Sequence, residues 1–224
     1  MYMSPGYLFI IFASMALTGL ASMWLRSTYA KWSKVLNTSN LTGAQTARLI
    51  LDANGLEDVQ VKAVPGQLSD HYNPANRTVN LSEGNYSHST VAGMAVAAHE
   101  VGHAIQHAKA YTPLNIRSAL VPATNIGSRF GPMVIMAGIF TGLSGLTQIG
   151  VILFSAAVLF QLVTLPVEFD ASRRAAVQLN KLGVVTKQDS AGVKNVLTAA
   201  AMTYVAAAAT SIMWLLYYIS RSRR

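Results

Sequence analysis

Cysteine is absent from the chain, which excludes disulfide frameworks, thiolate zinc fingers and a cysteine nucleophile. Charge is nearly as scarce. Asp, Glu, Lys and Arg make up 12% of the 224 residues against 52% hydrophobic ones, and the mean hydropathy is +0.35. A water-soluble domain carries about 25% charged residues, so this chain has too little polar surface to coat a soluble globule. The composition is that of a membrane protein with one small water-facing domain of about 100 residues. Acidic residues are the scarcer sign, 9 against 17 basic ones, for a net charge of +8. A basic balance can serve nucleic acid, but Arg26, Lys31, Lys34, Arg117, Arg129, Arg173 and Arg174 flank apolar runs instead of forming one face. Charges so placed orient helices in a bilayer and argue against a nucleic-acid partner.

Three apolar stretches are present. Pro5–Leu25 has 21 residues and no charge, and as a helix it rises ~31 Å, enough for the hydrocarbon core. No basic residue precedes it, and Arg26, Lys31 and Lys34 follow it, so an uncleaved anchor is expected rather than a signal peptide. Phe130–Val167 holds 38 uncharged residues, ~57 Å as one helix and nearly twice the bilayer core. Its middle, from Thr141 to Gly150, is small and polar, which predicts a transmembrane hairpin of Phe130–Leu146 and Gly150–Leu165. Gly138 and Gly142 stand at GxxxG spacing and read as close packing within that hairpin. Val196–Ser220 is long enough to span, although alanine-rich in its first half.

With four spans, Arg26, Tyr29–Arg129 and Glu168–Asn195 share one side and 14 of the 17 basic residues. The positive-inside rule places that side in the cytoplasm of a multi-pass cell-membrane protein. Arg221, Arg223 and Arg224 then lie on the other side, unless the last stretch packs without fully crossing.

Between the first two stretches the pattern changes. Thr42 and Gln45 have capping-box spacing ahead of AQTARLILDAN, with Gly55 as a stop. Val59–Val64 alternates as a strand before a Pro65–Gly66 turn. Leu68–Tyr72 and Arg77–Leu81 read as a hairpin around Asn73–Pro74–Ala75–Asn76. Ser89 is then the expected cap of a helix from Thr90 to about Lys109. The order is helix, small antiparallel sheet, helix.

That last helix carries His99-Glu100-Val101-Gly102-His103, an HExxH. Histidines four apart lie ~6 Å apart on one helical face, so both imidazoles can meet one metal ion. Glu100 lies beside that ion, where its carboxylate can take a proton from water. The chain's five histidines and four glutamates give roughly 0.002 chance matches to the motif, which favours function over packing. Zinc needs a third protein ligand. The metzincin spacing would require a histidine at Lys109, and His107 lies ~12 Å along the axis from His99, too far for one tetrahedral site. His107 is expected at the site rim, making hydrogen bonds. Beyond it the remaining carboxylates are Glu168, Asp170 and Asp189. An even number of crossings puts Glu168 on the side of His103, and Asp170 lies about 200° round a helix from Glu168.

The stretches LTGAQTARLILDANGLEDVQV, DHYNP, TVNLSE, AVAAHEVGHAIQHA and FQLVTLPVEFDASRRA together resemble the neutral zinc metallopeptidases of bacterial membranes, the YugP type, over nearly the whole chain. The resemblance implies a membrane-bound peptidase with zinc held at His99 and His103 and Glu100 as the catalytic carboxylate. More distantly, Glu168 and its surroundings resemble the ExxxD element of HtpX-type and CAAX-prenyl-type membrane proteases, which implies Glu168 as the third ligand. The sequence departs from that element at Ser172, which stands where the pattern has an aspartate to orient a zinc histidine.

The expected fold class is a mostly α-helical membrane protein with a small α+β zincin-like domain. Its expected parts are an N-terminal transmembrane anchor (5–25), a zincin-like domain (29–129), a central transmembrane hairpin (130–167), a third-ligand helix and loop (168–195) and a C-terminal hydrophobic helix (196–220). The expected function is zinc-dependent endopeptidase activity on a protein or peptide substrate at the lipid bilayer. The alternative is a non-catalytic membrane adaptor or assembly factor that keeps a metal site; an intact Glu100 argues against it, since a structural site has no use for a general base. His71, Tyr72 and Tyr111 are candidates for stabilising the oxyanion. An extended substrate is expected along Arg77–Leu81 or the edge at Leu68–Tyr72. An oligomeric or regulatory membrane partner is compatible with the sequence.

Overall fold

The computed structural model describes residues 5–222. Seven helices and three short strands are present among them: α1 Pro5–Trp32, α2 Gly43–Asp52, β1 Gln60–Val64, β2 His71–Asn73, β3 Thr78–Ser82, α3 Glu83–Ser87, α4 Val91–Ala108, α5 Thr112–Thr141, α6 Ser144–Lys181 and α7 Lys187–Ser222. The chain divides into two compact units. One comprises Met1–Ser22, Thr112–Pro166 and Thr203–Arg224, the other Met23–Tyr111 and Val167–Met202.

Apolar length decides which helices suit a membrane. Among the described residues, α1, α6 and α7 are long and apolar enough to cross one. The turn between α5 and α6 falls at Gly142, at φ +72°, ahead of the turn expected between Leu146 and Gly150. Glycine enters this left-handed region without a Cβ clash. The apolar end of α5 is therefore cut to 12 residues, Phe130–Thr141, ~18 Å of helix, and α5 is not among the three. Gly138 packs within this pair, where an added Cβ would lie 2.5 Å from the Thr147 amide nitrogen of α6. Gly142 makes the turn instead of a packing contact. The expected anchor end at Leu25 also differs from the helix end at Trp32. An apolar run marks where lipid can lie, whereas Arg26, Ser27 and Lys31 are compatible with continued helix.

The second unit is built around the sheet and α4. Alternation in the sequence locates strands but not the direction in which they pair. The sheet has the order β1-β3-β2, and β2 pairs antiparallel with β3 as expected. β1, however, runs parallel to β3, Gln60 opposite Thr78 through Val64 opposite Ser82, so the expected all-antiparallel sheet is mixed. The chain after Val64 passes β3 and returns on its far side as β2. β3 is central and buried along all five residues, the usual state of a strand covered on both faces. It has neighbours on both edges and therefore no free edge for a substrate, contrary to the expectation for Arg77–Leu81.

α2 starts at the expected capping box: Gln45 N donates to Thr42 Oγ1, and Thr42 N donates to Gln45 Oε1. From its buried face, Ala47, Ile50 and Leu51 join Val79, Leu81, Met94, Ala98, Val101, Leu179 and Val193 in one apolar core. The cap of α4 is Thr90, one residue later than expected. Its Oγ1 accepts from Gly93 N at 3.1 Å, whereas Ser89 Oγ donates to the Asn40 carbonyl. The short helix α3 has no apolar period to announce it. At the other end of the core, Asp189 in the first turn of α7 accepts from the Thr38 amide and hydroxyl and from Thr186, which ties α7 to the loop before α2.

Because Thr90 and not Ser89 caps α4, Thr90→Ala should destabilise this unit by about 1 kcal/mol. Ser89→Ala should stay within about 0.5 kcal/mol. Thermal unfolding in detergent distinguishes the two; a larger loss for Ser89→Ala would reverse the cap assignment.

Candidate active site

Three of the five residues of the HExxH stretch are polar, and a single side of α4 cannot hide them all in the apolar core. His99 and His103 occupy one side, with the ring centroids 4.8 Å apart and the planes at 85°. Glu100 is buried beside them. Facing α4 is the stretch of α6 that contains Glu168, and the helices meet where Gly102 faces Ala171: a Cβ on Gly102 would lie 2.5 Å from the Ala171 carbonyl oxygen. Only glycine permits that approach. The apolar period of α6 gives way at Glu168, whose side chain is 3% exposed.

Glu168 Oε2 lies 3.3 Å from His99 Nε2 and 3.5 Å from His103 Nε2, and one donor atom from each of the three residues falls within 4.8 Å of the others. Two ligands bound to zinc at its normal bond length and the tetrahedral angle stand about 3.4 Å apart. The donor set of two imidazole nitrogens and one carboxylate oxygen thus fits zinc in chemistry and in spacing. With three protein donors it leaves a fourth position open, as catalytic zinc sites do.

The electrostatics are those of a carboxylate gripped by two imidazoles. Burial pushes the Glu168 carboxyl up, but hydrogen bonds from His103 and His99 and their charge outweigh it and hold the group far below the usual carboxylate range. His103 shows the complementary shift. Burial lowers its pKa, yet the hydrogen bond to Glu168 and the charges of Glu100 and Glu168 raise it overall. The donors therefore attract positive charge, whether that charge is a proton or a metal ion.

Each histidine is also held from behind. Ser172 Oγ lies 3.1 Å from His99 Nδ1, so the hydroxyl that replaces the expected aspartate still reaches the ring it would orient. Gln106 Oε1 lies 3.0 Å from His103 Nδ1. Gln106 Nε2 donates to the Val167 carbonyl at 2.7 Å and to Asp170 Oδ2 at 3.0 Å. Asp170 in turn pairs with Arg173 and Arg174. Burial raises the Asp170 carboxyl, but the hydrogen bonds from Arg174, Arg173 and Gln106 hold it low. Gln106 did not stand out in the sequence, and Asp170 was weighed there only as an alternative third ligand to Glu168. The available signal was Gln106 at i+3 from His103, a spacing that puts two side chains on one face.

The other candidates are dispersed. The Tyr72 hydroxyl lies 2.8 Å from His107 Nδ1, with the rings 5.8 Å apart, which joins β2 to α4. His107 is outside the three-residue donor group. Burial raises the Tyr72 hydroxyl pKa, although Arg77 acts to lower it. His71 is exposed on β2, its Nδ1 2.9 Å from the Ser69 carbonyl and its Nε2 3.3 Å from Asn80 Nδ2. Tyr111 carries the Arg174 guanidinium 5.6 Å above its ring.

Residues 7–223 match the family described as "Putative neutral zinc metallopeptidase". The chain is 45% identical over 213 residues, 95% of each chain, to a Bacillus subtilis (strain 168) protein named "Putative membrane protease YugP". No solved structure matches the chain.

Purified protein should hold about one zinc per chain. His99→Ala, His103→Ala and Glu168→Ala should each lose it under dialysis that the wild type survives, as measured by metal analysis. Full retention in any of the three would remove that residue from the site.

Proposed function

The chain belongs to the neutral zinc metallopeptidases, and we propose that it is a membrane-embedded endopeptidase in which His99, His103 and Glu168 hold the zinc and Glu100 is the general base. The observation that carries the ligand set is the placement of Glu168 Oε2 at 3.3 and 3.5 Å from the two Nε2 atoms. Bound zinc supplies Lewis acidity to the scissile carbonyl and to the attacking water.

The chain's own groups divide the remaining work. Glu100, buried next to His99 on α4, takes the proton from the attacking water and passes it to the leaving amine as the peptide bond breaks. The water gives its oxygen to the acyl carbon and its hydrogens to the two products. Glu168 Oε2 faces both Nε2 atoms, and a bound cation would favour its charged form, so it serves as a ligand and not as the acid. β2 has an outer edge unpaired among the described strands, and Tyr72 fixes that strand to His107 of α4. An extended substrate added to β2 would gain backbone hydrogen bonds beside the helix that carries the chemistry.

The membrane arrangement is part of the same proposal. Its supports are the three apolar helices, the relative named a membrane protease and the 14 basic residues that share the side of the HExxH helix when α5 and α6 cross as a pair. They favour a multi-pass protein with the catalytic unit in the cytoplasm.

Glu100→Gln should lower cleavage of an unfolded protein in detergent by about 10²- to 10⁴-fold while zinc content stays at the wild-type level. Glu168→Gln should lose cleavage and zinc together. Cleavage by Glu100→Gln at the wild-type rate would remove Glu100 as the base. For topology, single cysteines in this cysteine-free chain at Asn76 and at Lys187, both exposed, should react with an impermeant thiol reagent only after permeabilisation of cells. Labelling of both in intact cells would invert the arrangement.

A further inference from the structure

His99 and His103 are chemically equivalent in the motif but not in what stands behind them. Ser172 offers His99 a hydroxyl, which donates or accepts by rotating about one bond. Gln106 has no such freedom. Its side chain is fully buried, and its amide group faces three partners at once: the Val167 carbonyl, the Asp170 carboxylate and His103 Nδ1. The first two are obligate acceptors, so the NH2 end must face them; turning the amide round would set its oxygen against two oxygens in a buried place. The oxygen end therefore faces His103, and His103 Nδ1 must donate to it. A proton on Nδ1 leaves Nε2 as the metal-binding nitrogen.

We propose that Asp170 and Gln106 form a relay that positions His103, with Asp170 fixing the Gln106 amide and the amide fixing the imidazole. Arg173 and Arg174 hold the Asp170 carboxylate ionised and in place, so the relay ends in a charge, as in carboxylate–histidine–zinc sites, with one amide inserted. Asp170 touches neither the donor atoms nor the substrate. It is a positioning residue, and its effect on the metal passes through Gln106. Asp170 also lies two residues from Glu168, so one turn of α6 supplies both a ligand and the control of another ligand.

This inference rests on the zinc reading, and its test is a binding measurement that needs no proteolysis. Zinc affinity is measured in detergent by competition with a chromophoric chelator for the wild type, Gln106→Met, Asp170→Asn and the double variant, with unfolding curves for each. Gln106→Met should bind zinc about 10- to 100-fold more weakly. Asp170→Asn should bind about three- to tenfold more weakly, and the double variant no more weakly than Gln106→Met alone, because the second change acts through the first. Losses that multiply, or affinities within twofold of the wild type, would overturn the relay. Should Gln106→Met fail to fold, the visible spectrum of cobalt-substituted Asp170→Asn decides. A ligand-field band displaced from the wild type supports the relay, and an unchanged band overturns it. A wild type that binds no zinc would overturn the zinc reading itself, a separate outcome.

Discussion

The close approach of α4 and α6 at Gly102 and Ala171 is the constraint on which the site depends. Any side chain at position 102 would occupy the place of the Ala171 carbonyl oxygen, and the separation of the helices would grow by the size of a methyl group. Glu168 Oε2 reaches both histidines at 3.3–3.5 Å, and a metal bond tolerates errors of only about 0.2 Å. The contact also brings Ser172 to His99 and Asp170 to Gln106, since these residues share the Ala171 turn of α6. One glycine thus sets the position of Glu168 and of the groups that hold His99 and His103. Buried side chains of Val101, Ala104, Ala175 and Leu179 surround the contact, and such a core resists compression and expansion alike.

The site places charge in an apolar setting, and its polar groups compensate one another. Glu168 faces two imidazoles, and Asp170 faces two guanidiniums and an amide. Burying an ionised carboxylate is costly unless opposite charge and hydrogen bonds accompany it. These pairings therefore allow two acidic residues to lie two positions apart on one buried stretch of helix. A divalent cation among His99, His103 and Glu168 adds positive charge where the carboxylates of Glu168 and Glu100 favour it.

What was legible in the sequence follows from how local each signal is. The pair His99 and His103 is fixed by four residues of helical spacing, and Thr42 with Gln45 by three, so both are visible in a line of text. Glu168 lies 65 residues beyond His103 and was reached by exclusion and by resemblance. Only folding shows that Gly102 lets α6 in. Gln106 was missed because a glutamine in a helix looks like a solvent-facing residue until the partner at Asp170, 64 residues away, is seen. The direction of β1 was missed because period-two alternation is the same in parallel and antiparallel pairs. The α5–α6 turn was misplaced because several small residues compete for it, and the positive φ of Gly142 decides.

The ligand set itself tests the account most directly, and X-ray absorption at the zinc edge reads it. Wild-type protein should show low-Z ligands alone, with multiple scattering from two imidazoles and one further oxygen donor from the protein. Glu168→Gln, loaded with zinc at high concentration, should keep the two-imidazole signature and change its oxygen shell. A third imidazole in the wild type, together with a spectrum indifferent to Glu168→Gln, would contradict the account and point to His107 or His71 in place of Glu168.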